Sequence, residues 1–114
     1  MGTRNLRRLF DPKSIAVIGA SNRKGSVGYI LLHNLIGADY EGTVYPVSVS
    51  TQSIQGIHSY SSIAQVPRKI DLAVIAVPAG AVAETMRECG EAGVGGAVVV
   101  SAGFREIGDA GRKL

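Results

Sequence analysis

Between Ile15 and Leu32 the sequence changes character twice, and those changes constrain the fold more than anything else in the chain. The stretch reads Ile-Ala-Val-Ile-Gly-Ala-Ser-Asn-Arg-Lys-Gly-Ser-Val-Gly-Tyr-Ile-Leu-Leu. Ile15 to Ile18 form an unbroken apolar run, the pattern of a strand buried on both faces. A small, polar, glycine-bearing loop follows from Gly19 through Gly28. From Val27 the apolar positions Val27, Ile30, Leu31 and Leu35 take helical spacing. Strand, glycine-rich turn and helix make the first half of a nucleotide-binding βαβ unit. There the N–H groups at the helix start and the helix dipole favour a bound phosphate.

The loop does not match either standard glycine pattern. Ser21 stands where the dinucleotide fingerprint G-x-G-x-x-G has its second glycine. The G-x-x-x-x-G-K-[ST] pattern fails as well, because the spacing is one residue too long and Ser26 follows Gly25. The residues that make up the candidate phosphate loop are Gly19, Ala20, Ser21, Arg23, Lys24, Gly25, Ser26, Val27 and Gly28, with Arg23 and Lys24 supplying positive charge. The competing reading is a plain βα connection, with glycines for turning and two solvated cations.

A chain of 114 residues suits one domain, 1–114, with a real core. Its 15 glycines and 46% hydrophobic content fit an α/β sheet of Val, Ile and Ala strands joined by tight turns. No apolar run has membrane-spanning length and no signal peptide is visible, so a cytoplasmic protein without a membrane partner is expected. The single cysteine, Cys89, fits a helix in a reducing compartment. Residues 1–69 carry eight Lys/Arg against three acids, whereas residues 70–114 carry four against six. The positive excess lies in the half with the glycine loop, which suits a polyphosphate ligand. No basic stripe runs along a helix, and nucleic acid is not expected as a partner.

Before the first strand, Asn5 to Phe10 reads as a short helix broken by Asp11-Pro12. The helix from about Ser26 ends near Gly37, with His33 off its apolar stripe. Thr43 to Val47 is a second strand, and Ser48 to Gln55 a polar loop. Gly56 to Tyr60 is a short extended piece that carries His58, and Ser62 to Gln65 a brief helical turn. Ile70 to Val77 reads as a central parallel strand. Pro78-Ala79-Gly80 opens a helix through about Glu91, with Val82, Met86 and Cys89 on its buried stripe. Ala97 to Val100 is a fourth strand, which Ser101-Ala102-Gly103-Phe104 leaves. This order calls for a parallel sheet with right-handed crossovers.

Ligands of such sheets bind outside the carboxyl ends of the strands. Four ends converge there: Gly19-Ala20-Ser21, Pro46-Val47-Ser48, Val77-Pro78-Ala79 and Ser101-Ala102-Gly103. Their small residues and prolines let backbone approach a ligand closely. No paired carboxylates, metal-ligand spacing or activated nucleophile falls among them, so no catalytic residue and no metal is expected. An NAD site would have an acid roughly 20 residues past the glycine loop to accept ribose hydroxyls. Ser48, Val49 and Ser50 occupy that place.

Taken in order, the segments 14–21, 25–28, 42–47, 70–78 and 100–104, with Leu9-Phe10-x-Pro12 ahead of them, resemble the successive motifs of one family. This is the N-terminal CoA-binding domain of NDP-forming (ADP-forming) acyl-CoA synthetases, relatives of the succinyl-CoA synthetase α subunit. The resemblance implies a Rossmann-like parallel sheet with flanking helices, and coenzyme A bound as a substrate. It also implies CoA phosphates near Ser21 and Gly25 to Gly28. Pro46, Val47, Val77, Pro78 and Ala79 would line the adenosine and pantetheine path, and Ser101 to Phe104 would border the thiol end.

The reaction so implied converts acid, CoA and NTP to acyl-CoA, NDP and phosphate, reversibly, through an acyl phosphate and a phosphohistidine. Those steps belong to other domains or subunits of the synthetase, and neither His33 nor His58 matches the phosphohistidine motif. Where the family reads Val-Asn-Pro followed by a basic residue, this chain has Val47-Ser48-Val49-Ser50. A cation is thereby lost, while Ser48 and Ser50 keep hydrogen-bonding capacity and Arg23 and Lys24 compensate. The same domain also heads acetyltransferase fusions, so a non-catalytic CoA or nucleotide sensor is the alternative.

Overall fold

A computed structural model describes residues 11–49 and 53–100. The strands are β1 (Ser14–Ile18), β2 (Thr43–Val47), β3 (Ser53–Ile54), β4 (Ile57–His58), β5 (Leu72–Ile75) and β6 (Gly96–Val99). The helices are α1 (Val27–Gly37) and α2 (Val82–Glu91), with 3₁₀ turns at Ile63–Gln65 and Ala79–Ala81. The main sheet has the order β2-β1-β5-β6, every pair parallel, and β3 and β4 form a separate antiparallel hairpin.

Every residue of β1 is buried, because this strand is central and both faces of the sheet are covered. Alternate side chains feed two cores. Ile15 and Val17 join Ala20, Leu32 and Ile54 beneath α1. Ala16 and Ile18 join Val47, Ile63, Ala73, Ile75 and Cys89 beneath α2. The register between β1 and β5 is held at its amino end by polar contacts. Lys13 N–H donates to Asp71 Oδ2 (2.8 Å), Ser14 Oγ donates to the Lys69 carbonyl (2.9 Å), and Asp71 N–H donates to Ser14 Oγ (3.0 Å). Asp71 therefore sits at a bend, and the third strand of the sheet is shorter than the run from Ile70 to Val77 suggests.

Several side chains depart from the periodic reading. On α1 the inward positions are Gly28 and Leu32, with Leu31 and Leu35 flanking, and Ile30 is 47% exposed. Gly28 has no side chain to hold the helix off the sheet, so the helix approaches along that line. On α2 the buried residues are Thr85 and Cys89, whereas Met86 is 43% exposed. Thr85 tolerates burial because its hydroxyl donates to the Ala81 carbonyl at 2.8 Å. The first turn after Pro78 is 3₁₀, and α2 begins at Val82.

The polar loop after β2 contains structure that its composition hides. Ile54 is fully buried and starts a hairpin whose two turn residues, Gln55 and Gly56, both have positive φ (52° and 84°). That is the backbone of a type I′ turn, with glutamine in place of the more usual asparagine. Tyr60 then forms an isolated parallel bridge with Val47. The short helix expected over Asn5 to Phe10 lies outside the described residues, as do Ser50, Ser101 to Phe104 and everything beyond.

A candidate ligand cleft at the switch point of the sheet

The chain leaves β1 toward α1 on one face of the sheet and leaves β5 toward α2 on the other. The connections that follow the adjacent strands β1 and β5 thus part to opposite faces and open a crevice above the strand ends, the place where doubly wound sheets take ligands. Backbone alone forms its floor. Gly19 turns with φ of +95°, and a Cβ there would lie 2.2 Å from the Ala76 carbonyl oxygen. A Cβ on Gly28 would lie 1.9 Å from the Gly19 carbonyl oxygen. Helix start, loop and strand end are stacked in direct contact, and a side chain at either glycine would separate them.

Hydrogen bonds fix the loop. The N–H groups of Gly19 and Ala20 both donate to the Val47 carbonyl (2.9 and 3.3 Å), so they hold the end of β2. Ser21 Oγ accepts from Arg23 N–H (2.9 Å), which leaves its own proton available to a ligand. Ser26 caps α1: its Oγ accepts from Tyr29 N–H (3.2 Å) and donates to the Arg23 carbonyl (2.8 Å). The N–H groups of Val27 and Gly28 begin the helix and have no intrahelical acceptor. Arg23 and Lys24 are exposed on the loop. Asn22 ties the loop to the hairpin, donating to the Ser53 carbonyl (3.0 Å) and accepting from Gln55 N–H (2.8 Å). Gln55 Nε2 donates in turn to the Tyr29 carbonyl at 3.1 Å.

The cleft over this floor encloses about 500 Å³. Three of the four expected strand ends meet in it, through Gly19, Ala20 and Ser21, Val47 and Ser48, and Val77 and Pro78. Pro46 is fully buried beneath it, and Ala79 is exposed outside its lining. Arg23, Lys24, Gly25, Ser26, Val27 and Gly28 stand beside the cleft rather than along its wall. The fourth end, Ser101-Ala102-Gly103, lies outside the described residues.

The sequence reading missed Ser61, Ser62, Thr85 and Glu88, which line the wall opposite the loop. The spacing of Thr85 and Glu88 puts them on one side of α2, a usable signal. The serines reach the cleft only because Tyr60 bridges to Val47. A second cavity, about 450 Å³, lies between the 3₁₀ turn at Ile63 and α2; it shares Ser62 and Glu88 with the cleft and runs away from it toward Ile70 and Val94.

His33 is exposed and stacks on Tyr29 (centroids 5.5 Å apart), and His58 meets Tyr60 edge-on (4.8 Å). Neither lines the cleft. Cys89 lies in the core, and burial, with a smaller contribution from Glu88, pushes its thiol up and away from the reactive thiolate. No group of three or more His, Cys, Asp or Glu side chains is placed to hold a metal ion among the described residues. No helix among them is long and apolar enough to cross a membrane.

The sequence profile of the family described as "CoA binding domain" matches residues 13–109. The chain is 42% identical over 114 residues to the α subunit of the ADP-forming acetate–CoA ligase I of Pyrococcus furiosus, spanning 96% of this chain and 25% of that protein. It is 47% identical over 109 residues to the ADP-forming acetate–CoA ligase I of Archaeoglobus fulgidus, spanning 96% of this chain and 16% of that one. Among solved structures it superposes on the dinucleotide-forming acetyl-coenzyme A synthetase 1 of Ca. Korarchaeum cryptofilum, in complex with phosphate and ADP. The TM-score is 0.83 with 42% identity, over 90% of this chain and 22% of that one. The chain therefore spans a quarter or less of the length of these relatives.

Proposed function

This chain belongs to the CoA-binding domain family, and from that premise we propose that it is the CoA-binding part of an NDP-forming acyl-CoA synthetase. The observation that carries the reading is the cleft at the β1–β5 switch point, floored by Gly19 and Gly28, in a sequence whose relatives are ADP-forming ligases. CoA enters as a substrate. Its diphosphate lies at the loop, with the Ser21 hydroxyl and the N–H groups of Val27 and Gly28 as donors and the α1 dipole behind them. Arg23 and Lys24, on long flexible stems, neutralise charge from outside the cleft. Val47, Val77 and Pro78 give apolar contact to the rest of the ligand, and Ser48 adds a hydroxyl. Ser101, Ala102 and Gly103 remain candidates for the thiol end.

The described residues hold CoA and orient it. The phosphoryl steps, through an acyl phosphate and a phosphohistidine, are assigned to other domains or subunits of the synthetase, which is the partner we propose alongside CoA. A reducing cytoplasmic setting agrees with the single cysteine, Cys89, being free. The alternative sensor reading gains nothing from the relatives, which are ligases.

Calorimetric titration of the 114-residue chain with CoA, dephospho-CoA and NAD tests the reading. CoA is expected to bind more tightly than NAD, because the residue after β2 is Ser48 rather than a ribose-binding acid. Equal or tighter NAD binding would overturn it.

A further inference from the structure

The cleft is polarised, and the polarity comes from which hydrogen-bonding capacity is already spent. At the loop end, Ser21 Oγ has accepted from Arg23 N–H and keeps a proton to donate. At the α2 end, Thr85 has spent its proton on the Ala81 carbonyl and keeps only lone pairs. Glu88, one turn further along α2, is the one charged side chain in the described lining, and a carboxylate only accepts. No hydrogen bond or ion pair among the described residues engages the Glu88 carboxylate. The neighbouring cation on α2, Arg87, is taken by Glu84 and Glu91, and Arg68 shares only the lining of the second cavity with Glu88.

We propose that Glu88, with Thr85 beside it, receives the exocyclic amine of the ligand's adenine and so sets which way round CoA lies. This inference rests on the CoA reading above and deepens it. A phosphate brought to Glu88 would meet like charge, so the diphosphate keeps to the loop end and an uncharged hydrogen-bond donor of the ligand falls to Glu88. The ribose of CoA is a poor candidate for the same contact, because its single free hydroxyl adjoins the 3′-phosphate. The adenine amine carries two protons and projects from the side of the base remote from the ribose and its 3′-phosphate.

The test is a thermodynamic cycle on the full 114-residue chain, with Glu88→Ala and Glu88→Gln titrated against CoA and against its hypoxanthine analogue. The analogue replaces the amine with an oxygen. A hydrogen bond to a charged group corresponds to about a 10-fold difference or more in affinity. The parent chain is expected to prefer CoA over the analogue by about that factor, and Glu88→Ala to bind CoA about 10-fold more weakly with the preference gone. Glu88→Gln, which keeps an acceptor but adds a donor, should show a reduced preference. Glu88 is only half-buried, so both variants are expected to melt with the parent. A preference for CoA that survives in Glu88→Ala overturns the assignment, as does an equal loss for both ligands. A parent chain that binds neither ligand overturns the CoA reading itself, and this assignment with it.

Discussion

Replacing Gly28 with alanine puts one methyl group where the start of α1 rests on the first loop. That carbon would sit 1.9 Å from the Gly19 carbonyl oxygen, 2.9 Å from the Gly19 carbonyl carbon and 3.2 Å from Ala20 Cα. All of these are backbone atoms, so no flexible side chain can swing aside. Ordinary contact requires α1 and the loop to separate by more than about 1 Å. Overpacking of this kind costs about 1–3 kcal/mol. The helical preference of alanine over glycine returns at most about 1 kcal/mol. A net loss of about 1–2 kcal/mol lowers the melting temperature of a domain this size by very roughly 4–16 °C. Valine should cost more.

The matched control is Gly90→Ala in α2. A Cβ there meets nothing within 4 Å and the backbone is helical, so stability should rise by up to about 1 kcal/mol. Thermal and urea melts of both variants against the parent check the pair, and a CoA titration should show weakened binding only for Gly28→Ala. If Gly28→Ala melts at or above the parent, the glycine is not required by close approach and the reasoning about the cleft floor fails.

Three further perturbations separate the parts of the site. Asn22→Ala removes two hydrogen bonds between loop and hairpin and should cost about 1–2 kcal/mol, with faster amide exchange at Gln55; unchanged exchange would show that the hairpin holds itself. Lys24→Ala should leave the melt unchanged while CoA binding weakens and becomes less dependent on salt, since an exposed charge acts through a screened field; unaltered affinity and salt dependence would make Lys24 a solvated surface residue. For Cys89, burial raises the thiol pKa in the folded state, so the proton stays on when the unfolded chain loses it. Stability from this group is therefore complete below the unfolded value near 8.5 and declines as pH rises through the folded one. Melts from pH 7 to 10 should show that decline, and Cys89→Ala should flatten it; an identical slope in the variant would contradict the assignment.

The backbone of the site was legible because β1 and β5 announce themselves. Their apolar runs fit strands covered on both faces, and the glycines between β1 and α1 leave only a βα turn. The register of each helix against the sheet was less legible. Gly28 contributes no side chain, so a count of apolar residues places the inward line of α1 by its large side chains, which lets Ile30 in and leaves Leu32 out. Thr85 reads as polar until its hydroxyl is seen bonded to Ala81, and Met86 takes its place in the pattern. The hairpin was hidden because two-residue strands have no period to detect and Gln-Gly is a weak turn signal. The far wall of the cleft depends on tertiary packing. Ser61 and Ser62 reach it through the Tyr60–Val47 bridge, and Glu88 through the docking of α2.

The two cavities meet at Ser62 and Glu88 and part from there, and a backbone-amide NMR titration with CoA distinguishes their unshared ends directly. Binding at the switch point should shift the resonances of Gly19, Ser21, Gly28, Ser48 and Val77, while those of Arg68, Ala92 and Val94 at the far end of the other cavity stay in place. Shifts confined to Arg68, Ala92 and Val94, with the glycine loop silent, would contradict the assignment of the cleft.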